Sequence, residues 1–380
     1  MKMKRFAAIV MMALFLCVSA TACYSSEHKN NGKNHAKHKP KLILYSFINP
    51  MYLRDTAKSW AENTGFRGFM IAYICDWEVP DEKVLARVPE LKTMNEECRK
   101  YGIDSNFIKL SMGHLKDMNW SDDAYWKKLD ERVRLAAKIA KETGFVGIAL
   151  DTEPYNWREN SIWDVGNPMY KHIERNQLET LVRKRGRDFM EAVKSEFPEA
   201  QFIIFPEGYF YYKYPSESVN DTARIYNTWG YFFKGLCDAE LQNGINVGTE
   251  RTYHMTDPDK LRQKYESIVN TMKECPENRK YWEEKCSVAI GMAPLGKKFD
   301  DKRKRYYARD FDKQINEAVK LSPRYLWVYG HGGAWWQLED DTPYVGKGFT
   351  FWRPAYQKLK CDRDIQKFYD ITKAVLPAEK

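Results

Sequence analysis

The chain has 380 residues, with 61 Lys and Arg against 52 Asp and Glu and a formal net charge of +9, a length that suits one large domain better than several. Residues 1–40 hold seven of those cations and one acid, so six of the nine charges lie there and the rest of the chain carries only +3. A body so close to neutral lacks the electrostatic footprint of a nucleic-acid-binding protein.

Lys2, Lys4 and Arg5 precede an apolar run from Phe6 to Ala20, too short to span a bilayer as a mature helix and flanked as an export signal is. The run ends in Ala20-Thr21-Ala22-Cys23, which resembles the lipobox of bacterial lipoproteins. That resemblance implies removal of residues 1–22, lipidation of Cys23, and a lipid-anchored protein of the bacterial cell envelope facing periplasm or exterior. An aliphatic residue is usual where Ala20 stands, and ordinary signal cleavage is the alternative. Residues 23–40 are polar and low in complexity, with His28, His35 and His38, and are expected to form a disordered tether.

From residue 41 onward, short apolar runs read as strands near 41–47, 66–75, 105–112, 145–153, 201–207, 245–253, 287–293 and 324–330. Between them, a short segment at 50–64 stands as the first helix, and apolar residues at helical spacing predict helices at 122–143, 176–197, 257–275 and 302–321, with a last one at 362–375. Eight alternations with no strand-only region predict an α/β fold with a closed parallel sheet, a (β/α)8 TIM barrel over 41–380 with a C-terminal helical extension. Such barrels keep their chemistry at the carboxyl ends of the strands, so the polar residues there become the candidates.

Residues 145–155 read FVGIALDTEPY. Strand alternation puts Gly147, Ala149, Asp151 and Glu153 on one face and Val146, Ile148 and Leu150 on the other. Small residues leading to two acids describe an inner barrel face, and a carboxylate pair is the usual equipment for cleaving a glycosidic bond. Glu153 is the candidate general acid: an ionised Asp151 beside it would raise its pKa, and an aromatic loop holding Tyr155, Trp157 and Trp163 would add desolvation. The competing reading pairs Asp151 with a Lys or Arg of a neighbouring strand.

Other strand ends supply Asp76, Glu207 and Glu250. Gly248, Glu250 and Thr252 are expected to share a face with room for substrate over the glycine, which favours Glu250 as the second carboxylate, with Glu207 its competitor. Either could instead bind sugar hydroxyls or pair with Arg251 or Lys109. Strand eight sends Tyr325, Trp327, Tyr329 and His331 one way, so Trp327 reads as the floor under a sugar ring. Tyr155, Trp157, Tyr209, Tyr253, His331 and Trp335 crowd the strand ends and, with Asp76, complete the substrate-binding candidates. Aromatics that merely fill and cover the core are the plain alternative.

These residues carry a family resemblance. The segment from Gly147 to Pro154 resembles strand four of chitinase-like barrel glycosidases, which ends in Asp-x-Glu with the Glu as acid and which has a Trp on strand eight; Asp151, Glu153 and Trp327 match in kind. Ala149 stands where that family has an earlier Asp. Thr152-Glu153-Pro154 is also similar to the Asn-Glu-Pro of the large retaining β-glycosidase clan, whose nucleophile lies on strand seven; residues 290–294 here, IGMAP, hold no acid. The resemblance implies a glycoside hydrolase acting on an oligo- or polysaccharide without a cofactor.

Two other classes compete. A metal-dependent barrel hydrolase needs clustered ligands, and His114, His254 and His331 are dispersed. A non-catalytic carbohydrate-binding surface lipoprotein would keep the barrel and its aromatics without the acid on strand seven. Of the body's six cysteines, 75, 98, 237, 275, 286 and 361, some could oxidise in an exported chain; Cys275 and Cys286 are the closest in sequence, and no spacing suggests zinc.

Overall fold

The computed structural model describes residues 39–46, 48–112, 118–153, 162–163, 167–207, 228–294, 307–330 and 365–376. Residues 1–38, which include Cys23 and nearly all of the segments read as export signal and tether, lie outside the described residues, as do Tyr155, Trp157, Tyr209, His331 and Trp335.

Eight strands, β1 (Lys41–Ser46), β2 (Phe66–Ile71), β3 (Phe107–Ser111), β4 (Gly147–Asp151), β5 (Gln201–Phe205), β6 (Ile245–Thr249), β7 (Ser287–Met292) and β8 (Tyr325–Gly330), pair in parallel in chain order, and β8 closes on β1. This is the (β/α)8 barrel that the alternation predicts. Around it run α1 (Pro50–Asn63), α2 (Asp81–Leu85), α3 (Val88–Lys100), α4 (Asp123–Thr143), α5 (Arg175–Glu196), α6 (Thr228–Asp238), α7 (Pro258–Glu274), α8 (Arg279–Lys285), α9 (Ala308–Leu321) and α10 (Ile365–Val375).

Side chains at the helix starts satisfy orphan amides. Asn49 accepts from Met51 N–H at 2.8 Å, Asp122 from Tyr125 N–H at 2.9 Å, and Asn278 from Tyr281 N–H at 3.1 Å. Helix α4 stops at Gly144, whose φ of 83° suits glycine and few other residues. Helix α10 fills the seam between the last and first helices of the ring. Its Phe368 ring lies 5.5 Å from Phe311, Tyr369 meets Trp60 edge-on at 6.1 Å, and Thr372 Oγ1 accepts from Gly65 N–H at 3.0 Å.

Alternation along the strands makes two cores. Ile43, Met70, Phe107, Ala149, Ile203 and Ala289 fill the barrel interior, while Leu44, Ile108, Leu150, Ile204, Val247 and Val328 pack outward against the helices. Strands buried on both faces read as continuous apolar runs, which is why all eight were legible.

Two strands end four residues earlier than predicted. Strand β2 stops at Ile71, ahead of Tyr73 with its φ of 61°. Strand β6 stops at Thr249, and the chain then turns, with Tyr253 N–H donating to Glu250 O at 3.0 Å and Met255 N–H to Thr252 O at 3.1 Å. The turn undoes the shared face expected for Gly248, Glu250 and Thr252: Tyr253 joins the barrel interior, and Thr252 Oγ1 donates to Gly291 O at 2.8 Å. Helices α2, α3, α6 and α8 were not anticipated. Helices α2 and α8 are too short to show a period, α3 buries a narrow stripe that includes Asn95, and α6 buries residues on all sides and so shows no polar face.

Candidate active site

At the end of β4, Asp151 is fully buried and held from two sides. Its Oδ2 lies 2.8 Å from Lys109 Nζ on β3, and its Oδ1 accepts from the Glu153 N–H at 3.0 Å. The competing sequence reading, a cation on the neighbouring strand, is therefore the geometry found. It corrects the picture of Asp151 as a bare negative charge pressing on Glu153, because the ammonium offsets that charge. Burial pulls the Lys109 pKa down, but the charge and hydrogen bond of Asp151, with Asp76 and Tyr73, hold it above the ordinary lysine value. Lys109 Nζ also sits 5.1 Å from the centroid of the Tyr45 ring.

The next residue is clamped. Thr152 donates its N–H to Phe205 O at 2.7 Å, its carbonyl accepts from Trp163 Nε1 at 3.0 Å, and its Oγ1 accepts from Trp229 Nε1 at 3.1 Å. Trp163, expected in an aromatic loop that desolvates Glu153, is 1% exposed and packs against Trp120 and Phe232. Its function is to hold the backbone from which the half-buried Glu153 projects.

Glu207 follows β5 and is 3% exposed. Its Oε1 accepts from Thr249 Oγ1 at 2.6 Å and lies 3.2 Å from Arg251 Nε, and its Oε2 accepts from the Glu250 N–H at 2.8 Å. Both oxygens thus hold the turn after β6, which argues against the sequence expectation that Glu207 competes as second carboxylate. Burial raises its pKa above the ordinary carboxylate value, opposed by Arg251, Thr249 and the Glu250 amide. Replacing Glu207 by Ala should remove the acceptor for the Thr249 hydroxyl, the Glu250 and Arg251 amides and the Arg251 guanidinium and destabilise the fold by about 3 kcal/mol, the scale for breaking a buried ion pair. Equilibrium urea unfolding measures this, and a change under about 0.5 kcal/mol, ordinary for surface sites, would contradict the anchoring role.

Trp327 is 1% exposed, with its ring centroid 5.1 Å from Phe205 and 5.2 Å from Tyr253. A Cβ built at Gly248 would come 3.2 Å from its Nε1, and one at Gly291 would come 2.8 Å from its ring. These glycines therefore make room for the tryptophan. That corrects both the space expected over Gly248 and the reading of Trp327 as an open floor for a sugar.

Tyrosines line this end of the barrel interior; Tyr253, expected as a substrate-binding residue, is 2% exposed and Tyr45 is buried, while Tyr329 is half-buried. Tyr253 stacks on Tyr329 at 5.8 Å and 9°, and Tyr329 lies 5.4 Å from Tyr45. The Tyr253 hydroxyl titrates well above the usual phenol range because of burial first, then Glu250, Tyr329 and Glu153. Burial likewise raises Tyr329, followed by Tyr45, Glu153, Asp151 and Glu250. Both phenols thus stand in the field of both Glu153 and Glu250, and Glu250, like Glu153, is half-buried. Asp76, also half-buried, acts on Tyr45, Tyr73 and Lys109.

The barrel end therefore brings together Asp76, Asp151, Glu153, Glu250 and Tyr253, and adds Lys109, Tyr45, Tyr73 and Tyr329. The last four had not been singled out as site residues. Lys109 had a visible signal, being the one charge in β3 and standing at an inward position of FIKLS. Among the described residues, no group of three or more His, Cys, Asp or Glu side chains is placed to hold a metal ion.

No protein-family model matches the chain, and no curated protein matches it. Solved structures do. A GH5_18 protein from Streptomyces cattleya in complex with GlcNAc aligns at a TM-score of 0.52 and 11% identity over 91% of this chain and 82% of that one. An endo-β-1,4-mannanase from Thermotoga petrophila aligns at a TM-score of 0.48 and 10% identity, covering 91% of this chain and 79% of its own. A D-psicose 3-epimerase from Clostridium cellulolyticum H10 aligns at 0.47 and 11% identity, covering 89% of this chain and all of its own. At such identities the likeness shows the fold that the strand pairing also shows, a (β/α)8 barrel like that of known glycoside hydrolases.

Proposed function

We propose that this protein is a glycoside hydrolase that cleaves O-glycosidic bonds of an oligo- or polysaccharide, with Glu153 as general acid and Glu250 as the second carboxylate. One observation carries the reading: two half-buried carboxylates at the carboxyl end of a barrel both act on the same stacked tyrosine pair. A glycosidic oxygen beside Glu153 would take its proton as the C–O bond breaks. Glu250 would then stabilise the oxocarbenium-like carbon, as a nucleophile or as the base for an attacking water. The neutral phenol of the half-buried Tyr329 supplies a hydrogen bond and flat surface for a sugar, and the buried Tyr253 stacks behind it. Asp151 and Glu207 serve as positioning residues, the first fixing the Glu153 backbone and the second the Glu250 backbone.

The test is a panel of GlcNAc-, mannose-, glucose- and xylose-based oligosaccharides, assayed for new reducing ends. The GlcNAc series comes first because the Streptomyces cattleya structure holds that sugar. Turnover on at least one series is expected, and the anomer released, read by NMR, separates retention from inversion. Binding without cleavage across the panel would favour the carbohydrate-binding surface protein instead.

A further inference from the structure

Helices α6 and α8 pack through two rungs, one helical turn apart. Phe233 meets Trp282 edge-on with centroids 6.1 Å apart. Four residues on stand Cys237, on the same face of α6 as Phe233, and Cys286, the residue that caps α8 with its N–H on Trp282 O at 3.0 Å. Each thiol stands within electrostatic range of the other. Ile245 N–H donates to Cys286 Sγ at 3.5 Å, while the nearby Tyr281 hydroxyl donates to Leu241 O at 3.0 Å. Cys237 is 1% exposed, while Cys286 is partly accessible. The cysteine nearest to Cys286 in sequence, Cys275, instead donates to Gly230 O at 3.4 Å.

We propose that Cys286 and Cys237 form a redox-active thiol pair, with Cys286 attacking an external disulfide and Cys237 resolving the adduct into an intramolecular Cys237–Cys286 disulfide. Cys286 has the chemistry for the first step. Burial opposes its thiolate, but the neighbouring Cys237 thiol, the Ile245 N–H and the Arg324 charge outweigh that and hold its pKa below the ordinary thiol value. Burial first, then Cys286, keeps Cys237 protonated.

With oxidised glutathione as the oxidant, the Cys286 thiolate attacks one sulfur, the glutathione S–S bond breaks, and one glutathione thiolate leaves. Cys237 then gives up its proton to solvent and attacks the Cys286 sulfur, releasing the second glutathione. Two electrons pass from the two cysteines to one glutathione disulfide. The pair stands beside the first residues of β6 and β7, at the barrel end opposite the carboxylates, where side chains support the fold.

The full-length protein, reduced and then incubated with excess oxidised glutathione, is quenched in acid, denatured, treated with N-ethylmaleimide and mapped by mass spectrometry. A linked Cys237–Cys286 peptide is expected, with Cys75 and Cys98 alkylated. The Cys237→Ser variant should instead retain a glutathione adduct on Cys286. Full alkylation of both cysteines in the wild type, a bond from Cys286 to Cys275, or an unmodified Cys286 in Cys237→Ser would overturn the proposal.

Discussion

Replacing Glu153 by Gln should lower kcat on a cleaved glycan by roughly a hundred- to ten-thousand-fold, the usual contribution of a positioned general acid, with KM little changed. The amide is close in shape to the carboxyl, and the contact that fixes this position runs from the backbone N–H to Asp151 Oδ1, so the backbone should stay in place. What is lost is the transferable proton. An aryl glycoside whose phenolate leaves without protonation should therefore suffer much less than a glycan with a sugar leaving group. Steady-state kinetics on the two substrates check this, and equal losses on both would remove Glu153 from the acid role.

Replacing Lys109 by Met should destabilise the fold by about 3–5 kcal/mol, because it leaves the Asp151 carboxylate buried without its ammonium. The side chains are 6% and 1% exposed, so water offers little screening. Adding Asp151→Asn to Lys109→Met should recover much of that loss, since the neutral pair has no buried charge while Asn keeps an oxygen for the Glu153 N–H. The pH dependence follows from the raised Lys109 pKa. A lysine whose folded pKa exceeds its unfolded value, about 10.4, contributes stability that is present below that value and lost as pH rises through the folded one. The stability gap between wild type and Lys109→Met should stay flat from pH 7 to about 10 and narrow above. Urea unfolding across that range measures it, and a gap that already narrows as pH rises from 8 to 9 would point to another titrating group.

Much of the barrel could be read in the chain because burial on both faces imposes two plain signals, apolar runs of strand length and small or polar residues at inward positions. FVGIALDTE shows both, and the strand it predicts is β4. The same alternation failed where the backbone stops being a strand. After Thr249 a turn replaces the pleat, so Tyr253 rather than Thr252 turns inward. Periodicity assigns a face but not a partner, so Lys109 and Arg251 could be suspected as counter-ions, while which acid each takes was left to the fold. Lys109 took Asp151 and Arg251 took Glu207. Trp327 was placed inward correctly, yet whether an inward ring is a ligand floor or core depends on residues from β5, β6 and β7 that come close only on closure of the barrel. Cys237 and Cys286 likewise meet only through helix packing.

A crystal structure of Glu153→Gln soaked with an oligosaccharide that the wild type cleaves decides whether these carboxylates are the catalytic pair. The account expects the scissile oxygen within hydrogen-bond reach of the side chain at position 153, Glu250 beside the anomeric carbon, and a sugar against Tyr329. A glycan bound with its scissile bond away from position 153, or with Glu250 facing only protein, would contradict it.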